Sequence, residues 1–572
     1  MSAAGLAARR AWALPLRAHL LALAALLIPV ALFLRPGDTF TADEGAYAIQ
    51  VRALDAGSWE YDDRTALYDP AGRWFPLRNA EREGDRHFAY VRHPAYPLLL
   101  VGVTRVAGET AGLYALGLLG ILGVAAAAWL VAAEIDARAS RGAFWLAAAS
   151  PAAVTGHLVL AHAPSAALAG TAVLAALRTR RAPSWRWSAV LLVSVATGCL
   201  LRSEAVLFGA ALAAAMVVVP VRAGSDTAAT HRFGMPVAIV ATVGAAVVGE
   251  RKLISSILGA PARESGVRGE DVAATVRSGG GLVEFLEGRL EGAWHSLLAG
   301  SHGAAFPALL VAVALAMVVF AGSVVARRRP GWPRDVCVAL AAAVVLYGAR
   351  LAVGADQSMT GLFAAWPAAL LGLVVGLALG ALRPAALLSA TAGLFSLAVV
   401  ATQYRFGGGF EWGGRFFSPA IVPIAVLACV GLLALRAVLP ERSGARVLAL
   451  AVVLSVVPYG TGLVVVRNVR PLLGDVVDEV VKSGASLVVT HSPALPQAAW
   501  RTYPDVAWLV VPRSAMPEAI ARLRTVRGAR TDVVVDDTTA AELRAAFPEL
   551  RRLTGAGTAR LGWALLSLPA PP

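Results

Sequence analysis

The chain has 572 residues, of which 58% are hydrophobic and 15% are charged, and its formal net charge is +14. A composition this apolar excludes a soluble globular protein and indicates an integral membrane protein. Arginines carry almost all of the positive charge, because Lys252 and Lys482 are the only lysines. These arginines lie between apolar runs, which is typical of the cytoplasmic loops of a membrane protein and excludes a nucleic-acid-binding face.

Neither the cysteines nor the histidines predict a metal centre. Three cysteines are present, and all lie in apolar runs: Cys199, Cys337 and Cys429. That placement leaves no disulfide framework and no zinc motif. His87, His93 and the pair Asp62 and Asp63 share one loop, but their spacing matches no metal-ligand motif. No cofactor is therefore predicted, and a divalent metal ion has no support in the sequence.

Apolar runs predict about thirteen membrane-spanning helices, several of them short for the ~20 residues that a crossing needs. They are predicted at 12–34, 111–133, 143–161, 163–178, 187–202, 204–221, 234–249, 304–326, 335–352, 361–382, 384–402, 416–436 and 446–466. One further apolar segment, 94–106, is shorter and contains Arg105. Its length favours a helix at the membrane surface over a crossing.

The arginine-rich loops decide the orientation. If 94–106 does not cross, every such loop falls on the side of the N-terminus, which the positive-inside rule makes cytoplasmic. The loops at 35–110 and 250–303 then face outward, as does the C-terminal segment. The sequence thus predicts a multi-pass plasma-membrane protein with a transmembrane domain, 1–466, and an extracytoplasmic soluble domain, 467–572.

The C-terminal segment differs in character from the rest. Short apolar runs at 486–491, 506–511 and 532–535 are typical of buried strands. Helical patterns separate them, at 472–483, 514–526 and 538–547. This alternation predicts a small α/β domain with a mostly parallel sheet. His491, Asp536 and Asp537 come at strand ends, where ligands bind in such sheets, although helix capping is the simpler interpretation.

A carboxylate pair follows the first predicted span. Asp43 and Glu44 lie where the chain leaves the bilayer, and carboxylates at that depth are costly unless they serve a purpose. Tyr47 follows at helical spacing, so the acids begin an amphipathic helix on the membrane surface. Two interpretations stand: a helix cap with its first-turn acid, and a catalytic carboxylate at the water–lipid boundary.

Further polar groups are predicted on the same outer face. Arg92 and His93 precede the interfacial segment, and Arg202 and Glu204 end the fifth span. The others are Lys252 in the second outer loop, Arg350 at the end of the ninth span, and Glu411, Trp412 and Arg415 in a glycine-rich loop. For Arg202 and Glu204, a mutual ion pair and a ligand role are both open.

Arginines and a carboxylate at one membrane depth suit sugar transfer from a lipid-linked phosphate. Arginine binds phosphate bidentately and stays charged, so it can stabilise a phosphate leaving group. A carboxylate can take the proton from an acceptor hydroxyl as that hydroxyl attacks the anomeric carbon. The sequence contains no nucleotide-binding motif, and this chemistry requires none.

These residues resemble the GT-C class of polyprenyl-phosphate-sugar-dependent glycosyltransferases, which includes the protein O-mannosyltransferases and the lipid A aminoarabinose transferase. The resemblance covers roughly 1–466. It rests on Asp43-Glu44 after the first span, on His93-Pro-Ala-Tyr-Pro97, on Gly198…Arg202-Ser-Glu204, and on the plan of about thirteen spans. Two motifs depart from the class: its Lys/Arg-Pro-Pro reads Arg92-His93-Pro94, and an Asp common in the class is replaced within His162-Ala-Pro-Ser165.

The resemblance implies an Asp general base and a donor site for a polyprenyl-phosphate-linked sugar. The catalytic candidates are Asp43 and Glu44, and the phosphate-binding candidates are Arg92, His93, Arg202, Lys252, Arg350 and Arg415. The substrate-binding candidates are Tyr47, Tyr96, Glu204, Glu411 and Trp412. The acceptor would be an extracytoplasmic glycan, lipid or protein.

Two other classes of function remain open: a transporter or flippase of lipid-linked glycans, and a catalytically inactive scaffold of the same fold. A transporter should show internal repeats or interrupted helices around a midplane site, whereas the charges here concentrate at the outer rim. A scaffold would need no arginines facing the carboxylates.

Overall fold

A computed structural model describes most of the chain. The described ranges are 14–61, 64–77, 81–83, 86–220, 228–260, 282–298, 361–402, 412–503, 505–524, 530–553 and 555–568. Contacts within the chain group it into two compact units. The first unit comprises Met1–Leu32, Ala115–Lys252 and Ala262–Val465, and the second comprises Phe33–Tyr114, Leu253–Pro261 and Val466–Pro572. The division into domains 1–466 and 467–572 stays a prediction.

Helices make up most of the described residues. In chain order they are α1 (Leu16–Phe33), α2 (Ala42–Asp55), α3 (Ala95–Ala107), α4 (Glu109–Ile135), α5 (Ser140–Ala148), α6 (Pro151–Thr155), α7 (His162–Arg181), α8 (Trp185–Leu201), α9 (Glu204–Val218), α10 (Ala228–Leu258), α11 (Leu282–Leu297), α12 (Pro367–Ala378), α13 (Ala386–Thr402), α14 (Ile421–Val438), α15 (Glu441–Ser483), α16 (Leu495–Ala498), α17 (Met516–Leu523), α18 (Asp537–Ala546) and α19 (Ala556–Arg560).

The chain is a polytopic helical membrane protein. Within the described residues, six helices are long and apolar enough to cross a membrane: Leu16–Phe33, Glu109–Ile135, Phe233–Leu258, Arg383–Thr402, Arg415–Val438 and Glu441–Ser483. Two predicted spans, 304–326 and 335–352, lie outside the described residues. The number thirteen stays a prediction.

Two predicted spans have wrong boundaries. The single span predicted at 143–161 is instead two short helices, α5 and α6, because Pro151 starts a new helix after Ser150. The last predicted span, 446–466, does not end before the predicted helix 472–483. The two form one continuous 43-residue helix, α15, which passes through Pro471.

The segment 94–106 forms the short helix α3, as its length predicts. The helix has 13 residues and is therefore ~20 Å long, less than the ~30 Å of a bilayer core. It ends at Ala107. Gly108 follows as the C-cap, with a φ of 81° that glycine readily adopts, and α4 begins at the next residue. Its position at the membrane surface stays a prediction.

Tight helix packing marks the core of the first unit. Helices α12 and α14 approach each other at Gly372 and Gly431, where a Cβ on Gly431 would lie 1.9 Å from the carbonyl oxygen of Gly372. Small residues allow this approach, as they do between helices in other membrane proteins. Phe395 of α13 and Phe417, just before α14, are also in ring contact, at 6.5 Å between centroids.

The second unit contains a five-stranded mixed sheet. Its strands are β3 (Leu487–Thr490), β4 (Ala507–Val510), β5 (Thr531–Asp536), β6 (Arg551–Leu553) and β7 (Trp563–Leu568), after a small hairpin of β1 (Glu81–Glu83) and β2 (Arg86–Phe88). The order is β4-β3-β5-β7-β6. Strands β4, β3 and β5 are parallel, and β7 lies antiparallel between β5 and β6. The predicted strands correspond to β3, β4 and β5, and the placement of this segment outside the cell stays a prediction.

Candidate active site

Glu44 closes the first turn of α2. Its Oε1 accepts hydrogen bonds from the backbone N–H groups of Phe40 at 2.7 Å and Thr41 at 2.9 Å. Thr41 has the extended backbone of an N-cap residue, with φ −121° and ψ 154°. A Ser or Thr cap followed three residues later by Glu is the capping-box pattern, so the local sequence dictates where the helix begins.

The second carboxylate oxygen of Glu44 faces a buried arginine. Oε2 lies 3.3 Å from a terminal nitrogen of Arg470, and the other terminal nitrogen donates to the carbonyl of Leu34 at 3.0 Å. Glu44 is 0% exposed and Arg470 is 1% exposed. Arg470 thus ties the chain before α2 and the first turn of α2 to helix α15. Glu44 therefore stabilises the start of α2.

Asp43 has a different environment from its neighbour. It occupies the first turn of α2, where the backbone N–H groups favour a negative side chain. Its side chain is half-buried, whereas Glu44 is fully buried. Of the two adjacent acids, Asp43 therefore has the more exposed side chain, and its catalytic role stays a prediction.

Aromatic rings anchor the next turn of α2. Tyr47 is fully buried, and its ring lies 4.2 Å from that of Tyr90 and 5.0 Å from that of Tyr96, between centroids. Tyr96 belongs to α3, so these contacts hold α3 against α2. Tyr47 lies four residues after Asp43, on the same face of the helix. The structure shows Tyr47 and Tyr96 in packing contacts, and their contact with a substrate stays a prediction.

Helix α2 also packs tightly against α16. A Cβ on Gly45 would lie 1.8 Å from the carbonyl oxygen of Gln497. Any larger side chain at this position would push the two backbones apart, so glycine directly after the acid pair is a packing requirement. The approach places the first turn of α2 against the segment that follows β3.

A second charged group precedes α2. Burial raises the pKa of the Asp38 carboxyl above its ordinary value, against the lowering effects of Arg501 and Arg470. The turn that carries it includes Arg35, whose φ of 52° is rare for a residue with a side chain. Sequence analysis missed Asp38, Arg470 and Arg501. The sequence signal for Arg470 is its position: it lies in the apolar stretch that continues the last predicted span, where a charged residue is unusual.

The other candidates in the second unit are Arg92 and His93. Both lie directly before α3, with His93 8% exposed and Arg92 half-buried. The backbone carbonyl of His93 accepts from the N–H of Tyr96 at 3.2 Å and so takes part in starting the helix. In the second unit, Asp43 and Tyr47 thus lie on α2, and the ring contact between Tyr47 and Tyr96 joins α2 to α3.

In the first unit, Arg202 and Glu204 form the ion pair that was one of their two interpretations. Two hydrogen bonds join them, from Nε at 3.0 Å and from a terminal nitrogen at 2.9 Å. Their side chains are only 10% and 2% exposed, so the pair lies inside the protein. The pair bridges the break between α8 and α9. A further role toward a ligand stays a prediction.

Arg415 follows a tight glycine turn in the same unit. Gly413 and Gly414 have φ of 68° and 57°, and Arg415 opens the short 3-10 helix Arg415–Ala420. Its side chain is buried beside the ring of Phe416, with the guanidinium 5.4 Å from the ring centroid. The left-handed glycines let the chain turn sharply enough to bring this arginine inside.

The remaining candidates differ in position. Trp412 is 1% exposed and packs on α15 at Gly462, where a Cβ would lie 2.7 Å from the indole ring. Lys252 is exposed on α10. Arg350 and Glu411 lie outside the described residues. In the described part of the chain, no group of three or more His, Cys, Asp or Glu side chains is arranged to hold a metal ion.

Comparison with known proteins identifies the fold. ArnT from Cupriavidus metallidurans bound to undecaprenyl phosphate matches with a TM-score of 0.50 and 14% identity, over 96% of this chain and 99% of that chain. Its apo structure gives the same TM-score and identity, over 96% and 98%. The Archaeoglobus fulgidus oligosaccharyltransferase tethered with an acceptor peptide matches with a TM-score of 0.43 and 11% identity, over 90% and 69%.

No protein-family model and no curated protein sequence matches the chain. The likeness to ArnT, a GT-C glycosyltransferase, therefore stands on structure. It confirms, at the level of the fold, the resemblance to the GT-C class that the sequence motifs predict.

Proposed function

We propose, on the premise of this GT-C fold, that the chain is a membrane glycosyltransferase that moves a sugar from a polyprenyl-phosphate donor to an extracytoplasmic glycan, lipid or protein. The observation that carries the proposal is the acid pair of α2. Glu44 is held by the helix cap and by Arg470, while the adjacent side chain of Asp43 is only half-buried. The ArnT structure that matches almost the whole chain holds undecaprenyl phosphate, which supports a lipid-phosphate donor.

The proposed reaction uses Asp43 as the general base. Its carboxylate takes the proton from an acceptor hydroxyl while that oxygen attacks the anomeric carbon of the donor sugar. The bond between the anomeric carbon and the phosphate oxygen breaks, and polyprenyl phosphate leaves with the bonding electron pair. Arginines stabilise that anion by charge-assisted hydrogen bonds, and Arg415 and Arg202 are the candidates in the first unit.

The donor site is tested by replacing Arg415. We expect Arg415→Ala to weaken binding of a synthetic polyprenyl-phosphate sugar by about tenfold or more, because a hydrogen bond to a charged group contributes ~1.5–3 kcal/mol. Binding is measured on the purified protein, with its thermal unfolding midpoint recorded beside it. Arg383→Ala, an exposed arginine before α13, is the matched control. Equal binding by both variants and the native protein would remove Arg415 from the donor site.

The orientation follows from the same proposal. The protein lies in the plasma membrane with a cytoplasmic N-terminus, and the sheet of the second unit lies outside. We expect a cysteine at exposed Ser514 to react with an impermeant thiol reagent in intact cells, and a cysteine at Ser184 to be protected. Both are placed in a protein whose native cysteines are replaced by alanine. Labelling at Ser184 with protection at Ser514 would reverse the orientation.

A further inference from the structure

A group of polar and aromatic side chains lies at the carboxyl ends of the parallel strands, away from the acid pair of α2 in sequence. His491 directly follows β3, Arg513 follows β4, and Asp536 ends β5. Trp563 starts β7 and is the cross-strand partner of Asp536. We call these four residues the carboxyl-end cluster.

The topology singles out this edge of the sheet. From β3 the chain crosses to β4 on one side, and from β5 it continues through α18 to β6 and β7 on the other side. The connections therefore diverge between β3 and β5. In open α/β sheets, ligands bind outside the carboxyl ends of strands at such a point. His491 and Asp536 occupy it.

The cluster residues are in contact with one another. Oδ2 of Asp536 lies 3.0 Å from a terminal nitrogen of Arg513 and 3.7 Å from Nε2 of His491. The rings of His491 and Trp563 meet edge to face, at 5.8 Å between centroids. Nδ1 of His491 is buried and has no hydrogen-bond partner among the described residues. Arg513 is 63% exposed, so most of its guanidinium is open to solvent.

Helix capping explains only one of the four. Asp536 caps α18 by accepting from the N–H and the hydroxyl of Thr539, at 3.0 and 2.8 Å. That bond needs neither an arginine, nor a histidine, nor a tryptophan beside it. The other three side chains come from separate strands or loops, and the cap does not require their convergence.

The charge balance indicates the class of ligand. The positive charge of Arg513 balances the negative charge of Asp536. At the next residue, Asp537 pairs with Arg552, at 2.6 Å between a terminal guanidinium nitrogen and a carboxylate oxygen. Burial, and then Arg513, lower the pKa of His491 below its ordinary value, although Asp536 acts to raise it. The lowered pKa favours the neutral imidazole ring. The carboxylates would repel an anionic ligand, and the guanidinium groups would repel a cationic one. The hydroxyls of a neutral ligand can donate hydrogen bonds to the carboxylates and accept them from the guanidinium groups.

We propose that the carboxyl-end cluster binds a neutral sugar residue of a glycan acceptor. Asp536 and Arg513 exchange hydrogen bonds with sugar hydroxyls, His491 offers its buried nitrogen, and the half-buried indole of Trp563 supplies an apolar face with a polar edge. The acceptor role rests on the proposed glycosyltransferase function, whereas the binding of sugar does not.

The test uses the purified full-length protein in detergent. Its binding is measured to an array of neutral hexose and pentose oligosaccharides and to a matched set that carries uronic acid or sulfate groups. We expect binding to neutral glycans, weakened by about tenfold in Arg513→Gln and in Trp563→Ala, which is equivalent to the loss of ~1.4 kcal/mol of contact in each variant. Arg524→Gln is the matched control, because this arginine of the same unit is 50% exposed and pairs with Glu549.

Arg513→Gln keeps the proposal testable if Trp563→Ala does not fold, because Arg513 lies largely in solvent. Binding to acidic glycans alone, binding to no glycan, or equal loss in Arg524→Gln would overturn the proposal. Asp43→Asn separates it from the catalytic proposal: glycan binding should persist in that variant while transfer is lost. If transfer persists in Asp43→Asn, the catalytic assignment fails and the glycan result still stands.

Discussion

Asp43→Asn should reduce sugar transfer by ~10²–10⁴-fold, the usual contribution of a general base. Asparagine keeps the shape of the side chain, but its amide cannot take the proton from the acceptor hydroxyl. Donor binding should stay near the native value, because a carboxylate repels a phosphate if it acts on it at all. Transfer and donor binding are measured side by side on the purified variant.

Asp55→Asn is the matched control for this change. Asp55 ends the same helix and pairs with Arg105 at 2.8 Å, with side chains 57% and 58% exposed. An exposed pair of this kind contributes ~0–1 kcal/mol, so the variant should transfer sugar at close to the native rate. A native rate in Asp43→Asn would show that Asp43 is not the base. Native rates in both Asp43→Asn and Glu44→Gln would remove the case for an enzyme.

How much of this site the sequence can predict depends on how local each feature is. Thr41 and Glu44, three residues apart, form the cap of α2, and the helix begins at Ala42, directly before the acid pair that predicts its start. The pairing of Arg202 with Glu204 is equally local. In both cases, short-range spacing brings the partners together whatever the rest of the chain does.

The partner of Glu44 could not be found in this way. Arg470 is separated from Glu44 by 426 residues, and no periodicity links them. Its part appears only once α15 is seen to continue beyond 466, the residue at which the apolar pattern predicts an end. Hydropathy marks where a helix becomes more polar, but it does not mark where the hydrogen-bonded backbone stops.

The sheet shows the same limit. Short apolar runs predict β3, β4 and β5, because a strand buried on both faces reads as a continuous apolar run. The order of the strands is a matter of long-range pairing, and only the order places His491 beside Asp536. The break at Pro151 is different, because its signal is local: a proline after serine is a frequent helix start.

The Glu44–Arg470 pair carries the second large effect. Both side chains are buried, and breaking a buried pair by removing one partner costs ~3–5 kcal/mol because it leaves an unpaired charge inside the protein. Arg470→Met should therefore lower the thermal unfolding midpoint of the purified protein sharply. It also removes the donor to the carbonyl of Leu34, so we expect the chain before α2 to become accessible to protease.

A double variant, Glu44→Gln with Arg470→Met, is measured beside the single variant. With no charge left unpaired, it should be more stable than Arg470→Met alone, and the non-additivity measures the coupling of the two side chains.

Arg467→Met is the matched control. Arg467 lies three residues earlier on α15 over the ring of Phe33, at 4.8 Å from its centroid, and such a contact contributes ~0.5–1 kcal/mol. Equal midpoints for Arg467→Met and Arg470→Met would show that the buried pair does not hold α2 in place. A second outcome is a lower midpoint in Arg470→Met together with a loss of sugar transfer in both Arg470→Met and Glu44→Gln. That outcome would show that the position of Asp43 depends on the Glu44–Arg470 pair.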